Sequence, residues 1–150
     1  MADSIREQIM AALKTRMQTI TTGNGYETNI GSNVFEWRTT DFQVSELPAM
    51  DIRDTGEEVE VRGGNHIYTL TVEIEAKVSG ATSGADMRDI MADIIKAIGT
   101  DTGFSNLVQD TKPVQNESFG FGQNDKKIAS ILMTFEMRYL TKAFAPFNLA

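Results

Sequence analysis

The sequence contains no cysteine, one histidine and three prolines in 150 residues. Without cysteine there can be no disulfide, no thiolate catalysis and no Cys-ligated zinc. A lone imidazole, His66, excludes any site that needs two. An excess of positive charge is also missing: 14 basic against 21 acidic residues leave a net charge of −7. That balance disfavours nonspecific binding to nucleic acid, which requires neutralised phosphates, and docking on anionic membranes. Long apolar runs are absent too. Stretches such as Ile131-Leu132-Met133 fall far short of a membrane span. The first residues show no basic segment followed by an apolar one, so no signal peptide is expected and the cytoplasm is the expected compartment. What is present is an ordinary globular balance, 41% hydrophobic and 23% charged. It predicts a single domain over residues 1–150, large enough for its own core.

Local patterns place most elements. Ser4-Ile5-Arg6-Glu7 is a capping box, and Ile5, Ile9, Leu13, Met17 and Ile20 follow at helical spacing. Val34 to Arg38 reads as a short strand. Leu47 to Arg53 reads as another, with Pro48 at its start or on an edge. Asp54 to Glu58 reads as a turn, and Val59 and Val61 as a hairpin arm before Gly63-Gly64. The clearest strand runs from His66 to Val78. Tyr68, Leu70, Val72, Ile74 and Ala76 alternate there with Thr69, Thr71, Glu73, Glu75 and Lys77. Ser83 to Asp86 is a second capping box, and Gly99 is placed as the residue that ends that helix. Residues 100–123 are poorly patterned; a structureless loop that long is unusual, so the segment hides a strand or serves a partner. Gln123-Asn124-Asp125 signals a turn. A last strand carries Ile131, Met133, Phe135, Met137 and Tyr139 on one side, and the tail from Phe144 to Leu149 is apolar. The expected fold is two-layer α+β: a mixed, mostly antiparallel sheet, two amphipathic helices on one face, and long hairpin or loop extensions.

No catalytic constellation emerges. His66 reads as a hairpin residue. Asp51, Asp54, Glu57, Glu58 and Glu60 form an acidic cluster without the ligand spacing of a calcium loop, and read as a solvated turn. Glu73 and Glu75 share a strand face that lacks the aromatics on which a sugar would stack. Ion pairing with Arg138 or with a neighbouring subunit is the plainer reading. Phe119 and Phe121 are either core residues closing a hairpin or an intersubunit contact. Long strands with free edges are hazards unless paired, which points to a homo-oligomer.

Several phrases then align with a known family: Asn33 to Thr39, Glu46-Leu47-Pro48-Ala49 with Ile52-Arg53-Asp54, and Val72-Glu73-Ile74. To these add Ala97 to Asp101, Lys127-Ile128-Ala129 and Thr134 to Tyr139. Together they span most of the chain, and it resembles the tail terminator (minor tail, U-type) proteins of long-tailed bacteriophages and prophages. The resemblance implies a structural virion protein at the head-proximal end of the tail, assembled in the host cytoplasm. A six-membered ring would cap the tail tube, stop its polymerisation and offer the surface that the head joins. Its implied partners are further copies of itself, the tail tube protein and a head-completion or neck protein. DNA would pass through the lumen without specific binding. No catalytic residue, metal, cofactor or membrane contact is implied.

The surfaces themselves are read from this chain. Asp51, Arg53, Asp54, Glu57, Glu58 and Arg62 are the candidates for the tube or neck interface. Glu73, Glu75, Phe119, Phe121, Arg138 and Phe147 are the candidates between subunits. Three alternatives remain. A neck connector or tail-completion ring would leave normal unattached tails when lost. A carboxylate or metal-dependent enzyme using Asp51, Asp54, Glu57 and Glu58 would be stabilised by calcium or magnesium. A binding module using Phe119, Phe121 and Phe147 would stay monomeric.

Overall fold

A computed structural model describes residues 2–123 and 126–150, so Asn124 and Asp125 of the expected turn lie outside the described residues. Helix α1 spans Ile5–Gln18 and starts where the capping box places it: Ser4 Oγ accepts the Glu7 N–H at 3.2 Å. Its buried stripe is Ile5, Ile9, Met10, Leu13 and Met17. Helix α2 spans Ser83–Gly99 and buries Ile90, Ile94, Ala97 and Ile98.

Both ends of α2 differ from expectation. Thr82 takes the N-cap position and its hydroxyl donates to Asp86 at 3.0 Å, while Ser83 is buried. Gly99 is the last helical residue, not a left-handed residue beyond it. The reason lies on α1. Arg16 donates to the Ala97 carbonyl at 3.0 Å and to that of Asp101 at 3.1 Å. A cation with several N–H groups satisfies free helix-end carbonyls and suits their negative dipole, which removes the need for a glycine cap.

The sheet contains β1 (Val34–Glu36), β2 (Ala49–Arg62), β3 (Asn65–Ser79), β4 (Asp110–Gln123), β5 (Lys126–Lys142) and β6 (Ala145–Leu149). Its order is β1-β2-β3-β5-β4, with β6 against the far end of β5. β1 lies parallel to β2, and the other pairings are antiparallel. β2 and β3 turn on Gly63-Gly64, where Gly63 sits at φ +62°, a conformation glycine adopts without a side-chain clash. Both helices pack on one face. Leu70, Val72, Ile74 and Ala76 of β3 and Ile131, Met133, Phe135 and Met137 of β5 meet them there. The fold is therefore two-layer α+β, as the pattern predicts.

One strand expectation is corrected and one open alternative is decided. Asp54 to Glu58 is not a turn; β2 runs straight through it, with a bulge between Asp54 and Gly56. An extra residue shifts the period by one. Met50 and Ile52 face the helices ahead of the bulge, and Glu57, Val59 and Val61 face the same way after it. The unpatterned stretch holds β4, which is paired on one side only and bulged between Pro113 and Gln115. An edge strand need not alternate, because no core presses on it evenly.

Candidate functional site

The sheet face away from the helices carries the polar alternation of β3. Near the end of β3 its Lys77 lies between Ala49 of β2 and Ser130 of β5, with Phe119 of β4 beyond. The next row is Asp51, Glu75, Leu132 and Glu117. At the opposite end Glu58, Thr69, Arg138 and Asp110 share a row. This outer face is not free of aromatics: Phe119 and Phe121 stand on it, and Lys77 Nζ sits 5.5 Å from the Phe121 ring centroid. Both phenylalanines are exposed, so neither closes the core.

The proposed interface residues divide between the two faces. Asp51 points outward but is 2% exposed. It accepts the Arg38 N–H at 3.0 Å and Arg53 Nε at 2.7 Å, and so fastens the segment after β1 onto the sheet. Arg38 is itself clamped, lying 4.9 Å and 4.7 Å from the ring centroids of Phe35 and Phe42 and 2.7 Å from Glu46. Glu58, Glu60 and Arg62 point outward on the free part of β2 and are solvent-facing, Arg62 pairing with Glu60 at 2.6 Å.

Asp54 and Glu57 point the other way, toward α1. Arg6 Nε meets Asp54 at 2.6 Å, Arg6 reaches Glu57 at 3.3 Å, and Trp37 Nε1 donates to Asp54 at 2.8 Å. The Tyr139 hydroxyl donates to Glu57 at 2.5 Å. These two carboxylates lock α1 to the sheet, and the reading of a solvated acidic cluster does not hold for them. The expected ion pair of Glu73 or Glu75 with Arg138 is also corrected. Glu75 pairs with Lys77 at 3.4 Å, Glu73 lies opposite Arg53, and Arg138 lies opposite Thr69, several residues further along the strands. Phe147 is exposed on β6.

Burial holds the Tyr139 phenol far above the ordinary tyrosine range, and the hydrogen bond to Glu57 reinforces it. The unfolded chain ionises this phenol above roughly pH 10, while the folded chain keeps its proton. Tyr139 therefore contributes stability that is complete below that pH and is lost as pH rises, by about 1.4 kcal/mol per pH unit. Urea unfolding of wild type and Tyr139→Phe checks this. Near neutral pH the variant should be weaker by about 1 kcal/mol for the lost hydrogen bond. Its deficit should shrink and reverse between about pH 9 and about pH 11. A deficit constant across that range would refute the argument.

Sequence reasoning missed three surface features. Val59 and Val61 are exposed beyond the helices, on the core-side face. Phe144, in the turn before β6, is 91% exposed at φ +53° and sets its ring edge-on to His66 at 4.8 Å. Gly120 and Gly122 leave a groove beside α2 at the other end of the sheet. The signal for the valines is in the sequence: the large apolar residues of β2 fall on even numbers at Met50 and Ile52 and on odd numbers at Val59 and Val61, which marks the bulge. Among the described residues no group of three or more His, Asp or Glu is placed to hold a metal ion. No protein-family model matches this chain, and no curated protein matches it.

Proposed function

We propose that this chain is a structural subunit of a tail-terminator ring. Copies close head to tail into a ring, expected to be a hexamer, that caps a phage tail tube, stops its growth and receives the head. The observation that carries this reading is one sheet with two free and unlike edges. β1 covers β2 only through Ile52 and Arg6 takes the Asp54 carbonyl, which leaves the strand edge unpaired from Thr55 to Arg62. β4 forms the other edge, with Phe119 and Phe121 exposed along it. Open strand edges are templates for association. Contact between two different patches is heterologous and closes into a ring when the rotation allows. The resemblance carried by Asn33 to Thr39 and Thr134 to Tyr139 supports the choice of a tail ring. The net charge of −7 suits a lumen that lets DNA pass without gripping phosphates.

Glu58 and Glu60 supply the refusal of further tube subunits, since like charges placed face to face oppose a wrong partner. The test is growth arrest. Purified protein added to polymerising tube protein should stop elongation, and phage lacking it should carry overlong tails. Normal-length unattached tails would favour a neck connector instead. Joint Glu58→Lys and Glu60→Lys replacement should lengthen tails; unchanged tails would remove the charge argument. Glu57 is left out of that test because Arg6 and Tyr139 hold it.

A further inference from the structure

Asn24 is the only asparagine of the chain that precedes a glycine, and it lies in the turn that ends α1. We propose that Asn24-Gly25 is a deamidation site, that the folded turn restrains the reaction, and that its products loosen the join between α1 and α2. The site needs no partner and stands apart from the ring.

Glycine occupies position 25 for a structural reason. Thr22–Asn24 form one 3-10 turn, and Gly25 closes it at φ +88°. Residues with a Cβ rarely adopt that conformation. The same lack of a side chain leaves the Gly25 nitrogen unshielded beside the Asn24 amide. In the reaction this nitrogen loses its proton and attacks Cγ of Asn24. A new C–N bond forms, the Cγ–Nδ2 bond breaks, and ammonia leaves with the proton. The product is a five-membered imide. Both residues face solvent, so water reaches the ring and opens it. Cleavage of the new bond gives aspartate; cleavage of the original peptide C–N bond gives isoaspartate.

The fold holds both reacting groups back. The Gly25 N–H donates to the Thr22 carbonyl at 3.2 Å, and Asn24 Nδ2 donates to the Thr19 carbonyl at 2.9 Å. Attack requires nitrogen and Cγ to meet in a productive alignment, so the reaction waits on opening of the turn. Lys96 of α2 steadies it by donating to the Gly25 carbonyl at 2.9 Å. An exposed turn still opens at far lower cost than the core. The consequence follows from the same partners. Thr19 caps the end of α1, where helix carbonyls lack partners within the helix, and the Asn24 amide supplies a donor to its carbonyl. A carboxylate in its place offers only acceptors, at the negative end of the helix dipole. Isoaspartate also lengthens the main chain by one atom between residues 24 and 25, which draws Gly25 away from Thr22 and Lys96.

The full chain held in mildly alkaline buffer, folded and in urea, tests each part. Trypsin cuts after Arg16 and Arg38, and the peptide between them carries Asn24 with Asn29 and Asn33 as internal controls. Fragmentation mass spectrometry should find amide-to-acid conversion at Asn24 and not at the controls, which precede the branched Ile30 and Val34. Conversion should run at least about tenfold slower in the folded chain than in urea. Lys96→Met, checked by circular dichroism to be folded, should speed it about fivefold in buffer, the weight of one hydrogen bond, and leave the urea rate unchanged. Asn24→Asp should melt about 3 °C below wild type. Absence of conversion at Asn24 in urea would overturn the site. Equal rates folded and in urea, or no change with Lys96→Met, would overturn the restraint. An Asn24→Asp protein that melts with wild type would overturn the consequence.

Discussion

Gly31→Ala is expected to destabilise the domain by about 3 kcal/mol. Gly31 is buried just before β1, and its N–H donates to the Ile20 carbonyl at 3.0 Å. A Cβ there would lie 2.7 Å from the carbonyl oxygens of Ile20 and Met17 and 2.8 Å from that of Gln18. All three are backbone atoms of the last turn of α1 and the residues after it, so no side chain can swing aside. Either α1 unwinds at its end or the segment leading into β1 lifts away. The second would free the edge of β2 at Met50 to Ile52, where β1 pairs. Urea unfolding reads the loss directly. A penalty under about 1 kcal/mol would show that the turn yields without strain.

Asp93→Ala should cost about 3 kcal/mol, with Asp93→Asn falling between it and wild type. Asp93 is buried on α2 and 2% exposed. Its two oxygens accept the Glu27 N–H at 3.1 Å, the Thr28 N–H at 2.8 Å and the Thr28 hydroxyl at 2.7 Å. Alanine leaves three donors without an acceptor, and an unmet buried donor costs more than the net worth of the bond it made. Asparagine keeps one acceptor oxygen and turns an NH2 toward a donor, so it recovers part of the loss. The segment is held from a second side by Lys96, which donates to the Gly25 carbonyl at 2.9 Å and lies 5.0 Å from the Tyr26 ring centroid. That support should keep the Asp93→Ala variant folded at room temperature. Equal stability of the alanine and wild-type proteins would show that water replaces the carboxylate without penalty.

The helices were legible because their signals are local. Ser4 caps its own helix through a residue three positions on, and Ile9, Leu13 and Met17 mark one face whatever the rest of the chain does. β3 and β5 were legible for a related reason. Each is paired on both sides and pressed by helices on one face, so Leu70 to Ala76 and Ile131 to Met137 had to alternate. Of the candidate surface residues, Phe119, Phe121, Phe147 and Glu58 are exposed, and Arg62 is exposed and paired with Glu60. Asp54 and Glu57 went astray for one reason. Their direction depends on the bulge, and the bulge depends on the register of β2 against β3. A single extra residue reverses every side chain after it.

By itself the amino-acid sequence determined the class of fold, both amphipathic helices, the two central strands and the absence of thiol or paired-histidine chemistry. Those follow from composition and from contacts within a few residues. Only the tertiary structure decided that residues 49–62 form one bulged strand, that β4 exists at all, and that Arg16 of α1 closes α2. It also decided that the exposed Val59 and Val61 and the groove beside α2 stand at opposite ends of one sheet. Each of these depends on pairing between residues far apart in the chain. A strand at an edge is held by one neighbour and feels no second face, so its own residues carry little of the pattern that places it.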